Sequence, residues 1–500
     1  MSKRTTTFAL ALPPRRDDTP AYRWLCTVLR SEILEGRLRP GSRLPATRDL
    51  ARQHGLSRGT IIGAFEQLKS EGYIEGSVGS GTYVNKILPE ELLQVAGKAS
   101  VRPTTRKPPA RRVSDFSRRL TLFPACTIEV PIRAFRANQP ALDLFPATLW
   151  AQVAARRLRR ATPSQLVGCD PLGYRPLQEA LADYLKTSRG VKCVPEQIMV
   201  VSGVQEALDL VGRVFLNPGD GVCMENPGYV GAALVFEALG GKISPVRVDD
   251  EGMEVPGSHL KDIRLTYITP AHQFPLGIGM SLCRRLELLK WARSAGSLIF
   301  EDDYDSEFRY SGRPVPALQG LDQDGVVLFA GSLSKVLFPS IRLGYLVIPP
   351  DLVDYFAATR SVTSRHAPLP EQAILADFMT EGHFGRHIRR MREVYAERRC
   401  VLLESAREKL DGMLDIAGVE AGLQTAGYLQ GGVKGEAVVR AAAARGVELL
   451  ALSRYCRGRV EREGLKLGFA AVEPVEIRRG VRELASVLDR ESKRTQRANG

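Results

Sequence analysis

The 500-residue chain has no apolar run approaching the roughly 18 residues that cross a bilayer, which excludes a helical membrane protein. Its first residues, MSKRTTTFALALPPRRDD, include a short apolar piece. Acids and a Pro-Pro follow where a secretory leader would carry a long apolar region and a small-residue cleavage site, so an unprocessed, cytoplasmic protein is expected. Cysteine is sparse: eight residues (26, 126, 169, 193, 223, 283, 400 and 456) with no CxxC and no Cys/His cluster. Neither a zinc site nor a disulfide framework is indicated, and reduced, mostly buried thiols are expected. Charge imbalance is nearly absent beyond the first quarter: residues 121–500 carry 48 Lys/Arg against 45 Asp/Glu, whereas residues 1–120 carry 22 against 11. Basic charge confined to one quarter points to a polyanionic partner, double-stranded nucleic acid first. The length is too great for one hydrophobic core and predicts about two to four domains.

Between residues 21 and 35, Trp24, Leu25, Val28, Leu29, Ile33 and Leu34 recur at helical spacing, and Gly36 ends the run. After the turn RPGSRLP, TRDLARQH reads as a short helix opened by Thr47 and stopped at Gly55; LSRGTIIGAFEQLKSEG then starts a third helix with Ser57 as its cap. Two helices joined by a tight Gly turn form a helix-turn-helix, whose second helix presents its N-terminal residues, here Arg58 and Thr60, to base edges. GYIEGSVGSGTYV alternates Tyr73, Ile74, Val78, Tyr83 and Val84 around glycines and reads as a two-stranded wing. Residues 1–85 are therefore expected to form a winged helix-turn-helix. Residues 86–120, rich in Pro and Arg, read as a semi-extended basic linker able to add salt-dependent, sequence-independent DNA contacts.

Residues 121–490 alternate apolar runs (IMVVSG, GVCMEN, LTYITP, SLIFEDD, VVLFAGS, GYLVIP) with helical stretches, so an α/β fold with a mainly parallel sheet is expected. Ligands of such sheets bind at the carboxyl ends of strands, and four chemistry-bearing ends are legible. SGVQ places Ser202, Gly203, Val204 and Gln205 at a helix start, a phosphate site. NPGY places Tyr229 after a strand, where its ring either packs in the core or lies flat on a planar ligand. EDDYDSEF sets Asp302, Asp303 and Tyr304 directly after an apolar strand. These acids form either an acidic surface turn or a partner for a pyridinium nitrogen.

The fourth end is the segment 331–345, GSLSKVLFPSIRLGY, in which Lys335 lies among Ser332, Ser334 and Arg342 in a run that reads as loop. A lysine so placed can form a Schiff base with an aldehyde whose phosphate the Ser and Arg hold. Pyridoxal 5'-phosphate is one molecule that satisfies all four ends. SxxK also occurs in serine acylases, so this tetrapeptide decides nothing alone.

The pattern LxPGxxLPxxRxLAxxxGxSRxTxxxAxxxLxxEGxxxxxxGxGTxV resembles the winged helix of the GntR family. That resemblance implies DNA contacts by Arg43, Arg48, Arg58, Thr60 and the wing glycine Gly81. Residues 121–490 resemble fold-type I aminotransferases. DPLGYRPLQEAL, NPGY, TPAHQFPLG, EDDYDSEF and GSLSK, behind a GntR winged helix, together resemble the MocR group of bacterial regulators. The resemblance implies that Lys335 bonds the cofactor aldehyde and Asp302 pairs with its ring nitrogen, that Tyr304 meets the ring hydroxyl and Tyr229 stacks. Gly203, Val204, Gln205, Ser332 and Arg342 would hold the phosphate, with residues 272–277 beside the ring. It further implies a homodimer, nucleoid-associated when bound to a two-part operator, that senses an amine, an amino acid or the cofactor itself. A working aminotransferase with an accessory DNA-binding domain is the main rival; a nucleoid-packaging protein leaves the cofactor motifs unexplained. Two positions depart from the pattern. Lys466, in LKLGF, replaces the arginine that usually forks onto an α-carboxylate, and is the expected effector-binding residue. Gly168 stands where relatives commonly have a tyrosine that reaches across a dimer.

Overall fold

The first helix, α1 (Ala21–Leu34), buries Leu25, Val28, Leu29 and Ile33, whereas Leu34 falls off the stripe and is 45% exposed. α2 (Thr47–His54) ends on Gly55 in the left-handed region; its cap is Ala46, so Thr47 is the first helical residue rather than the expected cap. α3 (Arg58–Ser70) is capped as expected, the Ser57 hydroxyl accepting the Thr60 N–H at 3.1 Å. β1 (Ile74–Ser77) and β2 (Gly81–Val84) pair antiparallel with Ile74 opposite Val84, and Val78 lies outside the described residues. Leu29, Ile33, Leu50, Ile61, Phe65, Leu68 and Ile74 close one core, and an Arg30–Glu71 ion pair ties α1 to the end of α3. These elements belong to residues 1–111 of a computed structural model that divides into two units, 1–111 and 112–500. It describes residues 19–77, 81–86, 88, 111–121, 131–257, 260, 262–311, 316–416 and 418–499.

Most of the expected linker lies outside the described residues, but its end is not extended. Asp115–Leu120 is a helix capped by Ser114, with Asp115 in its first turn and Arg118 and Arg119 in its last. Cap and charge placement both favour a helix there despite the flanking basic tract. The Arg119 guanidinium donates to the Ala238 carbonyl at 2.7 Å, so this helix packs on the second unit, which thus begins before residue 121.

The second unit is built on eight strands: β3 (Ile198–Val201), β4 (Gly221–Asn226), β5 (Lys242–Asp249), β6 (Gly252–Met253), β7 (Ile263–Ile268), β8 (Leu298–Asp303), β9 (Val327–Ser332) and β10 (Gly344–Val347). Their order is β3-β10-β9-β8-β7-β4-β5-β6. β9, β8, β7, β4 and β5 run parallel, while β10 is antiparallel to both β3 and β9. Every residue of β3, β9 and β10 is buried, as expected for strands covered on both faces. The helix Val204–Phe215 follows β3 with Ala207, Leu208, Leu210 and Val211 turned inward. A second, antiparallel sheet, β11 (Leu414–Ile416), β12 (Gln424–Leu429), β14 (Gly464–Gly468) and β13 (Leu450–Ala451) in that spatial order, carries Lys466 on β14. The helix Pro474–Asn499 runs past the expected limit at 490.

Among the described residues no helix is long and apolar enough to cross a membrane. The seven described cysteines are unpaired. Only Cys26 and Cys223 are buried, while Cys283 and Cys400 are exposed, against the expectation of mostly buried thiols.

Candidate functional site

The carboxyl ends of β3, β4, β7, β8 and β9 converge on one side of the sheet, and the chemistry sits there. EDDYDSEF is not a surface turn: Glu301, Asp302, Asp303, Asp305 and Glu307 are all buried. Asp303 forms an ion pair with Arg189 at 2.7 Å, and Asp305 Oδ1 bonds His272 Nδ1 at 2.8 Å. Asp303 Oδ1 has no hydrogen-bond partner among the described residues, but Asp302, unlike Asp303 and Asp305, also makes no ion pair there. The Tyr267 hydroxyl donates to its Oδ2 at 2.7 Å, while Oδ1 has no hydrogen-bond partner among the described residues. Burial pushes its pKa up to about 7; the Tyr267 bond opposes the shift, the Asp303 and Asp305 charges add to it, and the Lys335 cation opposes it. Glu225, at the end of β4, is likewise raised to about 7 by burial although Thr269 donates both its N–H and hydroxyl to it.

A carboxyl whose folded pKa is raised stabilises the fold below its unfolded value and loses that contribution as pH climbs through the folded value. For Asp302 the window runs from its ordinary 3.8 to about 7. The cofactor-free Asp302→Asn protein is therefore expected to exceed wild type in stability at pH 8, by on the order of a few kcal/mol, with the advantage shrinking toward pH 4. Denaturant midpoints of the two proteins measured across that range check it.

Lys335 lies in the turn after β9, as expected, and its Nζ donates to the Asn138 carbonyl at 2.7 Å. Ser332 is the last residue of β9, and Arg342, with a positive φ of 49°, precedes β10. Gly203 caps the helix Val204–Phe215 at φ 112°; a Cβ there would stand 3.7 Å from the Arg342 guanidinium. The first N–H groups of that helix, including those of Val204 and Gln205, have no intrahelical acceptor. A helix start and a guanidinium thus lie side by side. Tyr229 opens the next helix, and its hydroxyl accepts from Gln205 Nε2 at 2.7 Å. Tyr304 bonds His272 Nδ1 at 3.0 Å, and burial holds its phenol well above the usual range. The two rings lie 5.8 Å apart and nearly parallel.

Sequence reasoning missed Asn138, Tyr267 and Tyr455, which join these ends to Phe274 and Lys466. Asn138, at φ 60°, receives Lys335 on its carbonyl and Lys466 Nζ at 3.4 Å on its Oδ1, and gives its own N–H to Gln424 at 2.8 Å. Phe274 touches Tyr229, Tyr304 and Tyr455 edge to face. Lys466 is wholly inaccessible, its Nζ 3.4 Å from the centre of the Phe274 ring and 5.3 Å from that of Tyr455. A ring face returns about 2 kcal/mol to an ammonium, whereas removing one from water costs several. Burial wins, and with the Lys335 cation nearby it holds Lys466 well below the usual lysine range, the Asp305 charge opposing. At Gly168 the missing side chain has a local cause: a Cβ would stand 2.7 Å from His366 Nε2, so His366 takes that space.

On the first unit Arg43, Arg48 and Arg58 are exposed. The Thr60 hydroxyl is engaged with Ser57 Oγ at 2.8 Å, so it serves the cap. Gly81, at φ 106°, lies under Arg43, whose Nε would be 2.7 Å from a Cβ there. Its φ, in the left-handed region, by itself favours glycine there. At Gly59, exposed at the start of α3, a Cβ would meet only Ser57 Oγ, at an ordinary 3.8 Å, so protein packing does not demand glycine there.

Comparison with known proteins agrees with this division. Residues 22–84 match the gntR family of bacterial regulatory proteins, and residues 134–483 match aminotransferase class I and II. The chain is 38% identical to the probable rhizopine catabolism regulatory protein MocR of Rhizobium meliloti, covering 95% of each chain. It is 33% identical to the HTH-type transcriptional regulator TauR of Rhodobacter capsulatus, over 91% of this chain and 94% of that one. The solved structure of an archaeal alanine:glyoxylate aminotransferase superposes with a TM-score of 0.68 at 29% identity, over 72% of this chain and 92% of that one.

Proposed function

The chain belongs to the MocR-type members of the GntR family, regulators that join a DNA-binding helix-turn-helix to an aminotransferase class I and II domain; from that premise we propose that it is a transcriptional regulator whose second unit binds pyridoxal 5'-phosphate through Lys335 and responds to an amine. The observation that carries the reading is the unpartnered Oδ1 of buried Asp302, at a strand end that also faces the Lys335 cation. A buried carboxylate oxygen left without a donor suits a protonated ring nitrogen. The glycine-capped helix start under Arg342 suits a phosphate.

When bound, the cofactor supplies an aldehyde that captures primary amines and a ring that withdraws electrons. The chain's residues do the rest. Asp302 holds the proton on the ring nitrogen, and Tyr267 fixes the carboxylate by occupying its other oxygen. Lys335, whose Nζ is held by the Asn138 carbonyl, would supply the amine that bonds the aldehyde and, when free of it, a group able to hold or return a proton. Tyr304, held by His272 and Asp305, donates toward the ring hydroxyl, and Tyr229 lies against the ring. Ser332, Arg342 and the N–H groups at Gly203, Val204 and Gln205 hold the phosphate. On the first unit Arg43, Arg48 and Arg58 meet DNA, with Arg58 reading base edges.

A homodimer on a two-part operator in the bacterial cytoplasm completes the reading, since one winged helix reads one half-site. Leu166, Val167 and Val362 are 76%, 89% and 88% exposed, and Val167 lines a cleft of about 550 Å³ with Ser361, Arg365 and His366. Apolar side chains so exposed around one cleft support a face that meets a second copy. The presence of both Lys335 and Asp302 also favours the rival, a working aminotransferase. Turnover of the loaded protein over a panel of amino acids and keto acids, beside its DNA affinity, separates the two. A regulator turns over slowly or not at all and binds operator tightly, whereas rapid transamination with no sequence-selective DNA binding would overturn the proposal.

A further inference from the structure

Resting on that reading of the site, we infer that its ligand is a primary amine whose neighbouring polar group is uncharged, and that Lys466 sets this preference against α-carboxylates. A carboxylate wants a planar pair of donors, which an arginine supplies and one Nζ does not. Lys466 cannot swing out to meet one at no cost, because its Nζ is tucked against the face of Phe274 and within 3.4 Å of Asn138 Oδ1, with no accessible surface.

Several neighbouring groups are already engaged elsewhere. The Asn138 N–H goes to Gln424 at 2.8 Å. Arg136 is held by Glu448 at 2.8 Å, Arg457 by Glu237 at 2.7 Å and Arg454 by Glu436 at 2.6 Å. Asp305 is committed to His272 and to the Leu423 N–H at 3.2 Å. What faces the space between the two lysines is acceptor and ring: the carbonyl and Oδ1 of Asn138 and the faces of Phe274 and Tyr455. An approaching carboxylate meets oxygen lone pairs there. A hydroxyl donates to the same oxygens, which a carboxylate cannot do. Lys466 is thus a specificity-determining residue that works by withholding a cationic fork.

The test uses the full-length protein loaded with pyridoxal 5'-phosphate and the matched pair L-alaninol and L-alanine, which differ only in CH2OH against COO−. Binding is followed by the visible absorbance of the bound cofactor and by titration calorimetry. Alaninol is expected to bind at least tenfold more tightly than alanine, and Lys466→Arg to reverse the order. Alanine binding as tightly as alaninol to the wild-type protein would overturn the inference whether or not the variant folds. So would a loaded protein that binds neither. A protein that shows no visible cofactor absorbance overturns the proposed function first, a result distinct from a coloured protein with the wrong preference.

Discussion

Purified Lys335→Ala is expected to lose the cofactor's visible imine absorbance completely, while wild type is yellow. The Nζ is the only nitrogen of the turn after β9 able to bond an aldehyde, and it already reaches Asn138 on the far side of the site. Borohydride treatment of the wild-type protein followed by peptide mapping is expected to find the label on Lys335. A label on Lys466 is the informative failure. That lysine also bonds Asn138, and burial holds it well below the usual lysine range, so it is the chemically credible competitor. The variant should retain weak noncovalent binding through the helix start at Gly203 and through Arg342, because those groups do not depend on the imine.

Arg58→Ala is expected to weaken operator binding by roughly 1–3 kcal/mol, about fivefold to more than a hundredfold, the range of a bidentate contact to a base. The residue is the first of α3, is exposed, and follows a cap that Ser57 and Thr60 complete without it. Removing its side chain should therefore leave the thermal unfolding and the cofactor absorbance unchanged. The comparison to run is Arg48→Ala. A guanidinium that grips a phosphate serves specific and nonspecific DNA alike, so its removal should weaken both and flatten the salt dependence, whereas removal of Arg58 should relax sequence preference. Equal operator affinity in Arg58→Ala and wild type would move the recognition surface off α3.

Which of these residues a sequence can reveal follows from where their signals lie. Lys335 and Arg342 sit in the connection after β9, which Ser332 ends; Asp302 lies at the end of β8 with Tyr304 just after it, and Gly203 at one helix start. Each is a local signal, and each was legible. The Ser57 cap and the Gly55 stop were legible for the same reason. Asn138 was not: it meets Lys335 across 197 residues and Lys466 across 328, and only the fold brings them together. Tyr267 and Tyr455 are ordinary apolar positions in their own segments and join Tyr229 and Phe274 in an aromatic wall only when the fold brings them together. The direction of β10 is invisible to periodicity, which reports burial and not polarity. The short stretch between Ser332 and Gly344, with room for one 3-10 turn (Pro339–Ile341), was its signal, since a parallel return needs a longer crossover. The end of the linker was misread because basic composition outweighed the cap at Ser114.

The central claim is that an amine entering beside Lys335 alters how the protein holds its operator. Its direct test is a footprint of the loaded wild-type protein on operator DNA with and without saturating L-alaninol, with Lys335→Ala as the control that cannot exchange its covalent bond. The account predicts protection over two half-sites whose extent or affinity changes with the amine in wild type only. An identical footprint and affinity with and without the amine would contradict it.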